Sequence, residues 1–274
     1  MGGACLSGWL SSNDGIASCL SADSFVAVSP DASHRAQIEE RFGVKCRSSA
    51  KQLSANDSID MVLLAVKPQV LPQVLEELSQ SDAFAISEPG SKALPLVLSI
   101  AAGISTKDIE DALPEGVHVV RAMPNMPLQV GHGATAVCGG ANASSEDMDA
   151  VNQLFSALGT SNVTDEALID AVCAISGGGP AYFAYMVEAL RDAGAALGLD
   201  AAIAESLALE TLGGTYDSMT RKGLSPEQMR ESVCSPGGTT LAAISKLDAA
   251  GFKPMFQSAM NAAVERAAQL REGA

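Results

Sequence analysis

The stretch "SPGGTT" (residues 235–240) sets hydroxyls beside bare backbone just ahead of a helical pattern. Backbone N–H groups at a helix start, reinforced by the helix dipole, form a cradle for an anion such as a carboxylate. Gly237 and Gly238 allow close approach because they carry no Cβ, and Ser235 and Thr239 add hydroxyl or amide donors. A plain connection between two helices is the structural alternative. A second glycine-lined wall, "SGGGPAY" (176–182), puts Pro180 at the start of a long helical pattern, a favoured position for proline. Close helix packing explains that motif equally well.

Three further motifs sit where short apolar runs end: "LLAVKPQ" (63–69), "SIAAGI" (99–104) and "RAMPNMP" (121–127). In an open α/β sheet, ligands bind at the carboxyl ends of the strands. Ala65, Val66, Lys67 and Pro68 are therefore candidates for lining a dinucleotide cleft, although a lysine in such a place can be a simple surface charge. Ala102 and Gly103 are small enough to admit a nicotinamide ring. Met123 and Asn125 stand at the third corner, where Asn125 can bond an amide.

The segment "SPDASHR" (29–35) follows another strand-like run. A site for NADH wants a carboxylate at that strand end to hold the ribose 2′-hydroxyl, and Ser29 stands there instead. A hydroxyl, a helix beginning at Asp31 and Arg35 one turn on predict a pocket for a 2′-phosphate, hence NADPH, with NADH as the second choice. Asp31 must then turn its charge away. Alternatively Ser29 only caps the helix and Arg35 is a solvated charge. Gly2, ahead of the first helical pattern, is placed like the third glycine of G-x-G-x-x-G.

No pair of residues reads as a dedicated acid and base, and Glu188, Glu210 and Glu265 lie on helical patterns as structural or interfacial groups. The six cysteines contain no C-x-x-C pair, and His34, His118 and His132 are not at zinc-ligand spacings. A reduced protein without a bound metal is expected. With 17 basic and 32 acidic residues the chain carries a formal charge of −15, which argues against an electrostatic grip on nucleic acid or anionic membrane. An anionic ligand must be held by local groups. No apolar run reaches the roughly 18–20 residues of a membrane span, and the start lacks a basic signal-peptide region, so a soluble, cytoplasmic protein is expected.

These residues need a scaffold. Strand-like runs at 24–28, 61–66, 95–100, 117–123 and 134–138 alternate with helical patterns at 31–43 and 70–80, predicting βαβ units around a parallel sheet. Residues 81–94 read as a surface connection. Beyond about residue 164 strand-like runs stop, and alanine-rich helical patterns continue to the end at 180–199, 200–223, 225–233, 240–251 and 255–273. Two domains are predicted, 1–164 and 165–274, the second all-helical and suited to a bundle or a dimer interface.

Taken together, "AVKP", "SIAAG", "RAMPNMP…GATAV", "LIDAVCAISGGGPAYFAYMVEAL" and "VCSPGGTTLAAISKLDAAGF" resemble the pyrroline-5-carboxylate reductase family. The resemblance runs to about residue 270, and the segment from Ser235 to Leu247 matches the family's signature. It implies a Rossmann-like N-terminal domain, an all-α C-terminal domain that dimerises, often a decamer built from dimers, and reduction of 1-pyrroline-5-carboxylate to L-proline with NAD(P)H. On that reading Ser235, Gly237, Gly238, Thr239 and Thr240 bind the substrate. Ser235 and Thr240 are the catalytic candidates, with the Thr240 hydroxyl on the ring nitrogen. The alternatives are a reductase of another cyclic imine or keto acid and a non-catalytic dimeric scaffold.

Family members open with a strand of the form I-G-F-I-G-x-G-x-M, and "MGGA" resembles its tail. The expectation is that the first strand and two phosphate-loop glycines are missing through a misplaced start, rather than that a real protein lacks the central strand of its sheet. A second departure is "RSSAKQLSANDS" (47–58), where the family commonly places an asparagine near the cofactor.

Overall fold

The computed structural model describes residues 1–54, 57–84 and 94–272. Most of the expected surface connection at 81–94, and two residues of the 47–58 segment, lie outside the described residues. The chain divides into two compact units, Met1–Gly177 with Val264–Ala274, and Gly178–Ala263.

In the first unit, β3 (Met61–Leu64), β4 (Leu96–Ser99), β5 (Val119–Met123), β6 (Gly133–Gly139) and β7 (Gly159–Val163) form one sheet in that spatial order. Pairing is parallel except between β5 and β6. A separate parallel pair joins β1 (Val26–Val28) to β2 (Lys45–Arg47). Among the described residues β1 and β3 thus have one strand neighbour each.

Alternation along the strands divides the core between the two faces of the sheet. Leu98 and Val120 pack with Cys5 and Trp9 of α1 (Gly2–Ser11) and with Val151 and Phe155 of α5 (Ser145–Ser156). Val97 and Val119 turn the other way, against Leu71, Leu75 and Leu78 of α3 (Leu71–Ser79) and Ile109 of α4 (Thr106–Glu110). Every residue of β4 is buried, as expected of a parallel strand covered on both faces. Trp9 is buried with its polar end satisfied, since Nε1 donates to Leu154 O at 2.8 Å. Helix α2 (Ala32–Phe42) starts on an Asp31 cap and stops at Gly43, whose φ of 68° suits the left-handed turn.

The second unit holds α7 (Gly179–Ala196), α8 (Ala201–Lys222), α9 (Pro226–Ser232) and α10 (Thr239–Ala249). Helix α7 packs on α8 at small residues: a Cβ on Gly194 would lie 2.8 Å from Ala204 Cβ. Only Ala204 and Ala208 of α8 are buried, while Phe183, Tyr185, Leu190, Ile203 and Leu207 are exposed. Long α11 (Phe252–Glu272) runs through the unit boundary.

The compact division falls at Gly177, beyond the change in composition near residue 164, and residues just after that change contact those of the sheet. Ile169, in α6 (Ile169–Val172), is buried with Ala136 and Cys138, and Glu166 bonds Thr106 and Arg121. The expectation that no apolar run reaches spanning length is corrected by Glu166–Ala196, which is long and apolar enough by length and composition.

Candidate active site

The corner after β3 is built around Gly2. A Cβ there would lie only 2.6 Å from Ala65 Cβ, so α1 begins hard against the strand end, the close approach a third glycine serves. Ala65 and Lys67 are exposed, and Val66 turns into the core under α3. Pro68 opens a short 3-10 turn, Pro68–Val70, with Lys67 as its cap. At the next corner Ala102 is exposed and Gly103 has φ 78°, a left-handed conformation that glycine adopts freely. Small side chains and an abutting helix N-terminus fit a dinucleotide.

At the third corner Met123 ends β5 and packs with Ala136, Cys138 and Val172. Asn125 is placed differently from the expectation. Its Nδ2 donates to Ser176 O at 3.0 Å, and its Oδ1 accepts from Ala134 N at 2.8 Å. With 8 % exposure the amide is an internal clip joining β5, β6 and the π-helical turn Cys173–Gly177, because backbone partners lie on both sides of it. It is not a free group for a ligand amide.

At the end of β1, Ser29 is buried, its N–H donates to Arg47 O at 3.0 Å, and its hydroxyl lies 3.1 Å from His34 Nδ1. Arg35 is half-buried, and its Nη1 donates to Ser29 O at 2.8 Å and Pro30 O at 2.9 Å. Asp31 does not turn its charge away from the helix start. Its carboxylate accepts from Ser33 Oγ, Ser33 N and His34 N, and those bonds, led by the Ser33 hydroxyl, hold it below the usual carboxylate range. The α2 N-terminus that was to face a phosphate is thereby capped by Asp31 itself.

The 235–240 segment is a turn feeding a helix. Gly238 N donates to Ser235 O at 2.9 Å, with Pro236 and Gly237 (φ 72°) between them, which is the sequence preference of a type II turn. Gly238 is the cap of α10 and receives no side-chain bond there. A Cβ on Gly238 would meet Ser235 Oγ at 2.6 Å. Thr239 and Thr240 therefore occupy the first helical turn, where N–H groups lack intrahelical acceptors. Ser235 is exposed and Thr240 half-buried.

Sequence reasoning missed the polar cluster under β5. Arg121, 4 % exposed, donates to Glu166 Oε1 at 3.0 Å, and Thr106 donates to Glu166 through N at 2.9 Å and Oγ1 at 2.7 Å. Burial works against charge on Glu166, but the Thr106 and Arg121 bonds outweigh it and hold the carboxyl below its usual range. Burial pushes the Cys5 and Cys138 thiols up to about 11, leaving them poor nucleophiles near neutrality. Among the described residues no three His, Cys, Asp or Glu side chains gather as a metal site would require.

Residues 166–270 fit the model for pyrroline-5-carboxylate reductase dimerisation, and residues 1–88 fit that for NADP oxidoreductase, coenzyme F420-dependent. The chain is 39% identical to the pyrroline-5-carboxylate reductase of Synechocystis over 88% of its length and 85% of that protein. It is 38% identical to that of Pseudomonas aeruginosa, covering 90% and 86%. The structure of a pyrroline-5-carboxylate reductase from Coxiella burnetii superposes with a TM-score of 0.86 at 32% identity, over 98% of this chain and 94% of that one. That from Plasmodium falciparum, with NADP bound, gives 0.78 at 26% identity, over 99% and 94%. A Rossmann-like domain bearing a parallel sheet and a helical dimerisation domain thus make up this chain, which belongs to the pyrroline-5-carboxylate reductase family.

Proposed function

We propose that this chain reduces 1-pyrroline-5-carboxylate to L-proline with NADPH. The observation that carries the reading is the Ser235–Gly238 turn delivering Thr239 and Thr240 to an uncapped helix start. Open N–H groups and the helix dipole suit the substrate carboxylate. When bound, the nicotinamide cofactor would supply the hydride that reduces the imine carbon. The ring nitrogen ends with one proton, carried in on a protonated imine, and the Thr240 hydroxyl hydrogen-bonds that nitrogen while charge leaves it. Gly237 and Gly238 keep the ring close to backbone, and positioning with electrostatics supplies the rate in place of an acid–base pair.

NADPH is favoured over NADH by the hydroxyl of Ser29 standing where a carboxylate would repel a 2′-phosphate. Exposed Phe183, Tyr185 and Leu190 on α7 support burial by a second copy, and the family resemblance extends this to a cytoplasmic decamer built from dimers. A substrate panel tests the reading. The carboxylate-bearing five-membered imine should be reduced about 100-fold more efficiently than 1-pyrroline, which lacks the carboxylate, from the loss of charge-assisted bonds of roughly 1.5–3 kcal/mol each. Equal efficiency would remove the cradle from the account.

A further inference from the structure

Arg35 commits one nitrogen, Nη1, to two carbonyls, Ser29 O and Pro30 O. Asp31 caps α2 and places a negative charge at its start. The group that touches the Ser29 hydroxyl is His34, an exposed imidazole whose Nδ1 lies 3.1 Å from Oγ. Ser29 is itself 7 % exposed, so the direction of its one hydroxyl proton depends on what His34 offers.

A neutral imidazole with a bare Nδ1 accepts that proton. Ser29 Oγ then shows only lone pairs to a ligand, which suits the donor O–H of an unmodified ribose. An imidazolium donates from Nδ1 to Oγ instead. The hydroxyl proton is then free to donate outward to a phosphate oxygen, and the ring adds a positive charge beside it.

We infer that His34 is a cofactor-specificity residue that couples its own protonation to recognition of the 2′-phosphate, through the hydroxyl of Ser29. The inference rests on the proposed use of a nicotinamide dinucleotide and deepens it. The charged and titratable groups on the elements nearest this turn are Asp31, the helix cap, and Arg35 on α2, with Cys46 and Arg47 on β2, which pairs with β1, and Asp57, which pairs with Arg47 at 3.4 Å. The Asp31 carboxylate accepts from the His34 backbone N–H at 3.2 Å, and histidine is the side-chain type that changes charge between about pH 5 and 8. Binding a 2′-phosphate then takes up a proton at His34. The phosphate's own second ionisation, near pH 6, has the opposite sign, since a bound dianion releases one.

The test needs no nicotinamide and no turnover. Imidazole ¹⁵N signals of the full chain are followed against pH, alone and with adenosine 2′,5′-bisphosphate or 5′-AMP, and His34→Gln identifies the His34 signal. Adenosine 2′,5′-bisphosphate should raise the His34 midpoint by about one pH unit, a tenfold coupling, and 5′-AMP should leave it in place. His34→Gln should weaken adenosine 2′,5′-bisphosphate at pH 6 by about tenfold and leave 5′-AMP unchanged. An unmoved midpoint, equal loss of both nucleotides, or no effect of the substitution would each overturn the inference. Imine reduction by the parent chain, measured separately, would still stand or fall alone.

Discussion

Asn125 and Ser176, 51 positions apart, are joined by a 3.0 Å bond from Asn125 Nδ2 to the Ser176 carbonyl. The same side chain accepts from Ala134 N at 2.8 Å, so one buried amide fixes the end of β5, the start of β6 and the π-helical turn. Asn125→Ala orphans both backbone groups. At about 1–3 kcal/mol for each, a loss of about 2–6 kcal/mol in denaturant stability is expected. Asn125→Asp retains the acceptor for Ala134 and sets a carboxylate oxygen against the Ser176 carbonyl, so it should also destabilise. A stability unchanged within 0.5 kcal/mol, about the error of such measurements, would show that the clip is dispensable.

The Arg121–Glu166 pair predicts a pH signature. The Glu166 carboxyl is held below its ordinary value of 4.5 by Thr106 and Arg121 against the opposing effect of burial. A depressed folded value means that its contribution is complete above the ordinary value and is lost as pH falls through the folded one. Glu166→Gln leaves Arg121 buried without its counter-charge, a loss of about 3 kcal/mol. The gap between parent and variant should be constant above the ordinary value of 4.5 and narrow as pH falls below it. A gap independent of pH would mean that the carboxylate charge contributes nothing.

Cofactor choice is tested at Ser29. Replacing it with aspartate puts a carboxylate where the 2′-phosphate is proposed to bind. Like charges about 4 Å apart repel by about 4 kcal/mol at an effective dielectric near 20. Ser29→Asp should therefore lower kcat/KM for NADPH by about 30-fold or more, largely in KM, and bring NADH level or ahead. An unchanged ratio of the two cofactors would place the phosphate elsewhere.

Much of the scaffold was legible because β3, β4 and β5 are short apolar runs between helical patterns, and the long helices repeat at 3.6 residues. Strands β2 ("KCR") and β7 ("GTSNV") were not. Each is short and polar, and pairing with β1 and β6 makes it a strand. The SPGGTT turn could be read from residue types alone, since proline and glycine specify its shape locally. Asn125 and Glu166 could not, because their partners are brought to them only by tertiary structure. His34 drew attention in sequence only as a residue at the wrong spacing for zinc, and its bond to Ser29 depends on how the β1–α2 turn folds.

Thr240→Val keeps the side-chain shape and removes the hydroxyl. Losing one hydrogen bond to a charged nitrogen costs roughly 1.5–3 kcal/mol, or about a 10- to 150-fold fall in kcat/KM for the imine. The dissociation constant of NADPH should hardly change. Full efficiency in the variant would reduce Thr240 to a residue of the first helical turn.

The central claim is that hydride passes to the imine carbon of 1-pyrroline-5-carboxylate, and isotope transfer tests it most directly. The chain is incubated with the imine and NADPH deuterated at C4 on each face in turn, and the amino acid formed is examined by mass spectrometry and NMR. The account predicts L-proline carrying one deuteron on the former imine carbon from one labelled face, and unlabelled proline from the other. Absence of proline, or proline without label from either cofactor, would contradict it.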